Sequence, residues 1–255
     1  MQISAITTYP LKGFAGQNHD QIDVTAFHLL PGDRAFGLSS GTTASQEASS
    51  DSWLKKAHFL QLMTLESLAH FNVQFDETNN MLGLSLDQKI VYEGCLTKAE
   101  DAVRLSDYIA HYLGYEPTQE KPRLFHLQEG GLTDTKTPYI AFGNQASMDD
   151  FAKRAHIHND ASRYRLNIMI DGLDAFAEMD LIGQTARIGT AEFEFIEPVG
   201  RCAAIDVDPR SGKRRGSLVR ALQHHYGHTN MGVFARVSQS GHIGYGDKLE
   251  IISSS

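Results

Sequence analysis

The stretch Ala191-Glu192-Phe193-Glu194-Phe195-Ile196-Glu197, followed by Pro198-Val199-Gly200-Arg201-Cys202, carries both a fold signal and a chemical one. Apolar and acidic residues alternate over 191–197, which predicts a half-buried β-strand. Pro198-Val199-Gly200 then predicts a turn. Arg201 stands directly before the thiol of Cys202 and favours a partly exposed thiolate, the form that attacks electrophiles or binds soft metals. The alternative is a small buried apolar residue.

Segments with the strand period of two recur on both sides of this stretch. Helical patterns are fewer, and the clearest ends before Gly114. Strand dominance predicts a mainly β fold with minor helices (α+β), a barrel or sandwich rather than a doubly wound sheet. The predicted strands cover 2–9, 21–29, 34–39, 81–86, 89–92, 165–171, 186–188, 192–197, 233–239 and 248–252, and the helices cover 99–113, 147–155 with Ser147 as N-cap, and 217–226.

Composition limits the classes of partner. The 255 residues carry 31 Asp and Glu against 23 Lys and Arg, which gives a net charge of -8. This charge argues against nucleic-acid binding. An anionic small ligand could bind only at a local cluster of basic residues. Cys95 and Cys202 are the two cysteines, so neither a CxxC metal pair nor a disulfide framework is encoded. No apolar run approaches the roughly 20 residues of a membrane helix, and no signal peptide is evident. We therefore expect a cytoplasmic protein that does not bind membranes.

The segment Arg163-Tyr164-Arg165-Leu166-Asn167-Ile168 is the best candidate for a ligand-binding face. On a strand, Arg163, Arg165 and Asn167 project to the same side. Two guanidinium groups and an amide form a donor array suited to a phosphate or a pterin-like heterocycle. The alternative is a solvated outer face of the sheet.

Three further patterns are weaker on their own. Tyr9-Pro10-Leu11-Lys12-Gly13-Phe14-Ala15-Gly16 presents Lys12 and a glycine-bearing loop whose N–H groups suit an anion, unless it is a plain connecting turn. Gly32-Asp33-Arg34 predicts a turn into a strand, and its alternative is a plain turn with an exposed ion pair and no binding role. The histidines 224, 225 and 228 lack an HExxH pattern and are interpreted as a solvated helix end.

Taken together and in this order, these motifs resemble the MOSC family, named after the C-terminal domain of molybdenum cofactor sulfurases. The similarity covers nearly the whole chain. Residues 9–16 look like the family's YPVKSCxG-type motif, 32–34 like its GDR turn, 134–138 like its aspartate-plus-hydroxyl segment, 163–168 like RFRPN[IL], 200–212 like RC…DPxTG, and 231–247 like FGVYAxV…G…GD.

The resemblance implies a MOSC β-barrel domain at 118–255 behind an N-terminal β-rich domain at 1–117, divided at the polar, two-proline segment 116–122. It implies binding of molybdenum cofactor (Mo-molybdopterin), with the Cys202 thiolate as metal ligand and catalytic residue. The cofactor-binding residues would be Lys12, Gly13, Arg34, Arg163, Arg165, Asn167 and Arg201. Gly13 departs from the family pattern, which usually has Ser there.

The activity implied is that of amidoxime-reducing components, which are molybdenum-dependent oxidoreductases. Such an enzyme reduces N-hydroxylated compounds by oxygen-atom removal, with electrons from a separate ferredoxin-like or flavin-reductase-like protein. Asp206 and Asp208 either supply protons or cap the turn after Cys202. The alternative functions are a non-catalytic carrier of molybdenum cofactor, or of sulfur on Cys202, and a β-barrel binding module without metal.

Overall fold

The structure is a computed structural model that describes residues 1–40, 53–128 and 130–252. Within these ranges the strands are β1 (Gln2–Thr8), β2 (Gln17–His19), β3 (Gln21–Val24), β4 (Phe36–Leu38), β5 (Phe71–Asp76), β6 (Met81–Leu86), β7 (Lys89–Cys95), β8 (Leu124–His126), β9 (Ile140–Asn144), β10 (Ile168–Asp171), β11 (Thr185–Ile188), β12 (Ala191–Gly200), β13 (Asn230–Gln239), β14 (Gly241–Gly244) and β15 (Leu249–Ile252). The α-helices are α1 (Ala99–Tyr112), α2 (Gln145–Arg154) and α3 (Leu218–Tyr226), and the 3-10 helices are Lys56–His58, Glu66–His70, Ala161–Tyr164, Ala177–Leu181 and Ala203–Asp206. The predicted mainly β fold with minor helices is confirmed.

The largest sheet curls into a half-barrel with strand order β15-β11-β12-β13-β9-β10-β1-β2. Its neighbours pair antiparallel except β9 and β10, which run parallel. The residues of β12 alternate between the inside and outside of the sheet, so that Phe193 and Phe195 are buried against Phe142 of β9. Burial of these inward faces is the main stabilising contribution to the sheet.

A second core lies under the three-stranded sheet β5-β6-β7 and helix α1. Phe71, Val73 and Phe75 of β5 alternate with exposed residues, as a half-buried strand requires. The predicted hairpin is confirmed: β6 and β7 join through Asp87 and Gln88, which both have positive φ, as a two-residue hairpin turn demands.

Three local predictions need correction. The strand predicted over 21–29 ends at Val24. The turn predicted at 198–200 lies inside β12, because Pro198 falls between two register shifts where the missing N–H leaves the ladder intact. Helix α2 is capped by Asn144, whose Oδ1 accepts from the Ala146 N–H at 3.2 Å, whereas Ser147 is buried and donates to Glu178.

Strand pairing connects the two predicted domains. Strand β1 pairs with β10, and β3 pairs with β14, so residues 2–24 share sheets with strands from beyond residue 117. The division into 1–117 and 118–255 stays a prediction. None of the helices among the described residues has the length and apolar character needed to cross a membrane.

Candidate functional site

Cys202 lies at the end of β12, where the chain leaves the half-barrel. The Arg201 N–H donates to the Thr229 carbonyl at 2.9 Å, which holds the chain against the start of β13. Cys202 then opens the 3-10 helix Ala203–Asp206, with its carbonyl accepting from the Ile205 N–H at 3.2 Å. The thiol is free and half-buried. It therefore combines a fixed backbone with access to a ligand.

Among the described residues, the guanidinium of Arg201, directly before the thiol, makes one hydrogen bond, from Nη1 to the Tyr164 carbonyl at 2.6 Å. Burial lowers the pKa of its guanidinium to about 10, against the opposing effect of Cys202 and Asp134. The group therefore stays charged at neutral pH. Its Nε is buried and has no hydrogen-bond partner among the described residues.

Lys12 and Lys56 share one carboxylate, that of Asp134. The Lys12 ammonium donates to the Leu132 carbonyl at 2.5 Å and to Asp134 Oδ1 at 3.1 Å, while Lys56 binds Oδ2 at 3.1 Å. Burial lowers the pKa of Lys12, with Asp134 opposing. Desolvation acts to raise the pKa of Asp134, but the two lysines lower it overall. Two cations around one carboxylate leave a local excess of positive charge.

Arg34 and Arg165 both lie against the ring of Tyr9, at 4.6 Å and 4.4 Å from its centroid. Arg34 also pairs with Asp33 and donates to the Arg165 carbonyl at 2.9 Å. Arg165 donates to the Phe14 carbonyl at 2.5 Å, and burial lowers its pKa to about 10. The negative face of the aromatic ring stabilises the two guanidinium groups beside one another.

Arg163 is the most deeply buried cation of the site. Its Nη1 donates to the carbonyls of Ile205 and Val207 at 3.0 and 2.9 Å, and its Nη2 donates to Asp208 Oδ2 at 3.0 Å. Its side chain is inaccessible to solvent, and its Nε has no hydrogen-bond partner among the described residues. Arg163 thus fixes the turn that follows Cys202.

The strand predicted over 165–171 begins only at Ile168. Residues 163–167 are therefore not a strand, and the single face predicted for Arg163, Arg165 and Asn167 is wrong. Asp160 accepts from the Ser162 N–H at 3.0 Å and starts the 3-10 helix Ala161–Tyr164. Arg165 then takes a left-handed conformation, with φ of 53°, which turns the chain into β10.

Asn167 ties together the strand ends beside the site. Its Nδ2 donates to the Thr7 carbonyl at 3.1 Å, and its Oδ1 accepts from the Ala141 N–H and Arg34 Nη1, each at 3.3 Å. These contacts use both ends of the amide. Its role in the structure is therefore to position Arg34.

Gly13 occupies a place where a side chain does not fit. Its φ is +89°, and a Cβ there would lie 2.6 Å from the Leu60 carbonyl oxygen. The serine that the resemblance leads us to expect would have to displace backbone. The departure at Gly13 therefore has a local steric reason.

The aspartates after Cys202 have structural partners. Asp206 Oδ1 accepts from the Leu218 N–H at 2.7 Å, and Asp208 Oδ1 accepts from the N–H groups of Arg210 and Ser211 at 3.0 Å. These contacts favour turn capping over proton supply. Helix α3 ends at Tyr226, and Gly227, with φ of 75°, is its C-cap. His224 and His225 are exposed in its last turn, in agreement with the predicted solvated helix end.

One cavity of about 330 Å³, hereafter the Cys202 cavity, collects these groups. Of the described residues, six cationic side chains line it, against one carboxylate, that of Asp134. The structure brings together all the predicted site residues: Lys12, Gly13, Arg34, Arg163, Arg165, Asn167, Arg201 and Cys202. Their binding and catalytic roles stay predictions.

A larger cavity of about 420 Å³ lies next to it. The two share Leu62, Arg163, Arg165 and Ala204 as lining residues, so the arginines form part of the wall between them. The larger cavity lacks the thiol and the lysines. The chemistry therefore concentrates in the smaller one.

The donor set of the Cys202 cavity suits an anionic ligand that carries a soft metal. Among the described residues, no acceptor faces the buried Nε atoms of Arg163 and Arg201, which is costly unless a ligand supplies one. The thiol supplies a soft ligand atom. The residues present therefore fit a phosphate-bearing molybdenum cofactor.

Lys56 and Tyr9 were not among the predicted site residues. Lys56 reaches the cavity from the 3-10 helix Lys56–His58. It is close enough to Cys202 for the electrostatic interaction between them to raise the pKa of Lys56. No local motif marks it, because tertiary folding alone brings it there. Tyr9 stood within a quoted motif, but only the structure shows it between two guanidinium groups.

Comparison with known proteins agrees with the fold. Residues 134–250 match the MOSC domain family. Among solved structures, the YUAD protein from Bacillus subtilis superposes with a TM-score of 0.50 at 12% identity, covering 100% of this chain and 96% of that one, a likeness of fold alone. YiiM from Geobacillus stearothermophilus has a TM-score of 0.37 at 19% identity, covering 45% of this chain and 54% of that one. YiiM from Escherichia coli has a TM-score of 0.35 at 16% identity, covering 46% of this chain and 55% of that one. No curated protein matches the chain.

Proposed function

We propose that the Cys202 cavity holds molybdenum cofactor and reduces N-hydroxylated compounds, because residues 134–250 match the MOSC domain family. The overall reaction is R–NHOH + 2 e⁻ + 2 H⁺ → R–NH₂ + H₂O. The N–O bond breaks, an N–H bond forms, and the oxygen leaves as water. The substrate gains both electrons.

The observation that carries the proposal is the placement of a free thiol among six cations in one cavity. The chain is acidic overall, with a net charge of -8, so this basic lining is a local feature. A cationic pocket with a soft ligand atom is what an anionic, metal-bearing cofactor needs. The alternative of a β-barrel binding module without metal does not explain why a thiol and six cations share one cavity.

Cys202 is the proposed protein ligand to molybdenum. Arg201 directly before it has a lowered pKa of about 10, so it stays cationic at neutral pH and adds a positive charge next to the proposed metal ligand. When bound, the cofactor supplies two-electron oxygen-atom-transfer chemistry. The protein's own part is to anchor the cofactor and to place the substrate.

The remaining cations would hold the phosphate and the pterin. Lys12 is a buried ammonium that shares the carboxylate of Asp134 with Lys56. Its positive charge is therefore only partly neutralised, and a phosphate could bind to it. Arg34 and Arg165 are held rigidly by the Tyr9 ring. Preorganised cations of this kind bind an anion with little loss of side-chain entropy.

The two electrons require a donor. We propose a separate ferredoxin-like or flavin-reductase-like protein in this role, and the cytoplasm as the location of both. Lys56 lines the cavity and its side chain is 38% exposed, so solvent next to it is the proposed source of the protons. Burial acts to lower the pKa of Lys56, but Asp134 and Cys202 raise it overall, so the ammonium stays charged there.

The test is turnover of benzamidoxime by protein expressed in a host that makes molybdenum cofactor, with reduced methyl viologen as electron source. Cys202→Ala is expected to abolish amidine formation. Cys95→Ala is the matched control, because Cys95 is the other thiol of the chain, ends β7 and is not among the residues that line the Cys202 cavity. Full activity of Cys202→Ala would refute the proposal, and molybdenum-loaded protein without turnover would favour the carrier function.

A further inference from the structure

The segment that follows Cys202 contains a dense group of positive charges. Arg210, Lys213, Arg214 and Arg215 lie within six residues of a chain whose net charge is -8. We call residues 208–215 the basic loop. Arg210, Lys213 and Arg215 are exposed, and of the loop's four cations only Arg214 pairs with a carboxylate among the described residues, Glu66 at 3.3 Å.

Backbone hydrogen bonds hold the conformation of the basic loop. The Asp208 N–H donates to the Lys213 carbonyl at 2.8 Å, the Gly212 N–H donates to the Asp208 carbonyl at 2.8 Å, and the Arg215 N–H donates to the Asp206 carbonyl at 2.9 Å. Gly212 is packed so closely on His70 that a Cβ there would overlap the imidazole. The exposed cations are therefore presented on a fixed frame, which reduces the entropic cost of binding a partner.

The loop contacts two walls of the Cys202 cavity. On one side, Asp208 accepts from the buried Arg163 at 3.0 Å. On the other side, Arg214 donates to the carbonyls of Leu62 and Met63 at 3.0 and 2.7 Å, and both of these residues line the cavity. A protein seated on the loop would thus rest on residues that contact the walls of the cavity.

The exposed cations are unsuited to holding the buried cofactor. Of the loop's four cations, none is part of the cavity lining. Arg210, Lys213 and Arg215 have no carboxylate partner among the described residues and lie beside the proposed redox cavity. Such surface cations suit a transient partner of opposite charge, because complementary charges speed encounter and orient it.

We propose that the basic loop docks an acidic electron-donor protein, an inference that rests on the proposed reduction. The donor is oxidised by two electrons in total for each N–O bond broken, and two protons from solvent complete the amine and water. A compact acidic protein fits better than a nucleic acid, because a long polyanion would also meet the acidic remainder of this chain.

The test compares two triple variants of the full-length protein with the same change in charge. Arg210→Glu/Lys213→Glu/Arg215→Glu reverses the loop. Lys89→Glu/Lys98→Glu/Lys153→Glu reverses three exposed lysines elsewhere that take part in no ion pair among the described residues. The probe is a purified [2Fe–2S] ferredoxin, and its direct binding is measured by calorimetry at low and high salt without substrate.

We expect the affinity of the wild-type protein for ferredoxin to fall as salt is added. The loop variant should bind ferredoxin roughly tenfold more weakly or worse, whereas the affinity of the lysine variant should change by less than about twofold. Turnover with reduced methyl viologen should be equal in all three proteins, because that donor needs no docking. Equal ferredoxin binding by the loop variant and the wild type would overturn the proposal, as would loss of binding to an oligonucleotide but not to ferredoxin. Binding without any turnover would refute the proposed function and leave the docking surface intact.

Discussion

The guanidinium of Arg163 lies 3.0 Å from Oδ2 of Asp208 and has no exposure to solvent. This pair joins the segment before β10 to the turn after Cys202, two parts of the chain that both line the site. The remaining Asp208 oxygen accepts from the N–H groups of Arg210 and Ser211. One carboxylate therefore fixes both a buried cation and the start of the basic loop.

Asp208→Ala should lower the free energy of unfolding by about 3 kcal/mol, because it leaves the buried Arg163 charge with carbonyl partners alone. Urea unfolding at neutral pH measures this loss. Asp23→Ala is the control: that carboxylate is 88% exposed and pairs with His242, so its removal should cost less than about 0.5 kcal/mol. Equal effects of the two substitutions would show that the Arg163 pair contributes no more than a surface contact.

Gly13→Ala should destabilise the protein more than Gly114→Ala. Both glycines have positive φ, but a Cβ at Gly13 meets the Leu60 carbonyl oxygen at 2.6 Å, whereas nothing lies within 4 Å of one at Gly114. We expect a cost of about 1 kcal/mol at Gly114 for backbone strain and roughly 1–3 kcal/mol more at Gly13. Thermal and urea unfolding of the two variants measure the difference, and a smaller loss at Gly13 would contradict the steric account.

Anion binding should depend on pH through Lys12. Burial lowers the pKa of this ammonium below 10.5, so the cation is complete below that lowered pKa and is lost as pH rises through it. A bound anion raises the pKa again, so binding takes up protons in alkaline solution and weakens with rising pH. Calorimetry with inorganic phosphate in buffers of different ionisation enthalpy detects this uptake.

Lys12→Arg is the variant that isolates this effect, because a guanidinium keeps its charge to higher pH. We expect proton uptake on phosphate binding to diminish in this variant. Unchanged proton uptake would mean that another group titrates and that Lys12 does not face the anion.

The sequence predicted the chemical content of the site better than its geometry. Alternation over 191–197 located β12, and Arg201-Cys202 follows it as expected. The period-two rule failed at Arg163–Asn167, because an Asp160 cap and a left-handed Arg165 compete with the strand. Local hydrogen bonding overrode a pattern that relies on side-chain type alone.

Other features depend on contacts that no local pattern encodes. Lys12 and Lys56 share the carboxylate of Asp134, although the two lysines lie 44 positions apart in the sequence. The pairing of β1 with β10 likewise places the Lys12 loop beside Arg165. Such long-range placement follows from packing of the whole chain, so a motif list predicted which residues matter but not how they meet.

The most direct test of the account is the molybdenum content of protein expressed in a host that makes the cofactor. Wild-type protein and the Cys95→Ala control are expected to carry about one molybdenum per chain, and Cys202→Ala far less, because it loses the soft ligand while the cations remain. Elemental mass spectrometry of the purified proteins gives the values. Wild-type protein without molybdenum, or Cys202→Ala with as much as the wild type, would contradict the account.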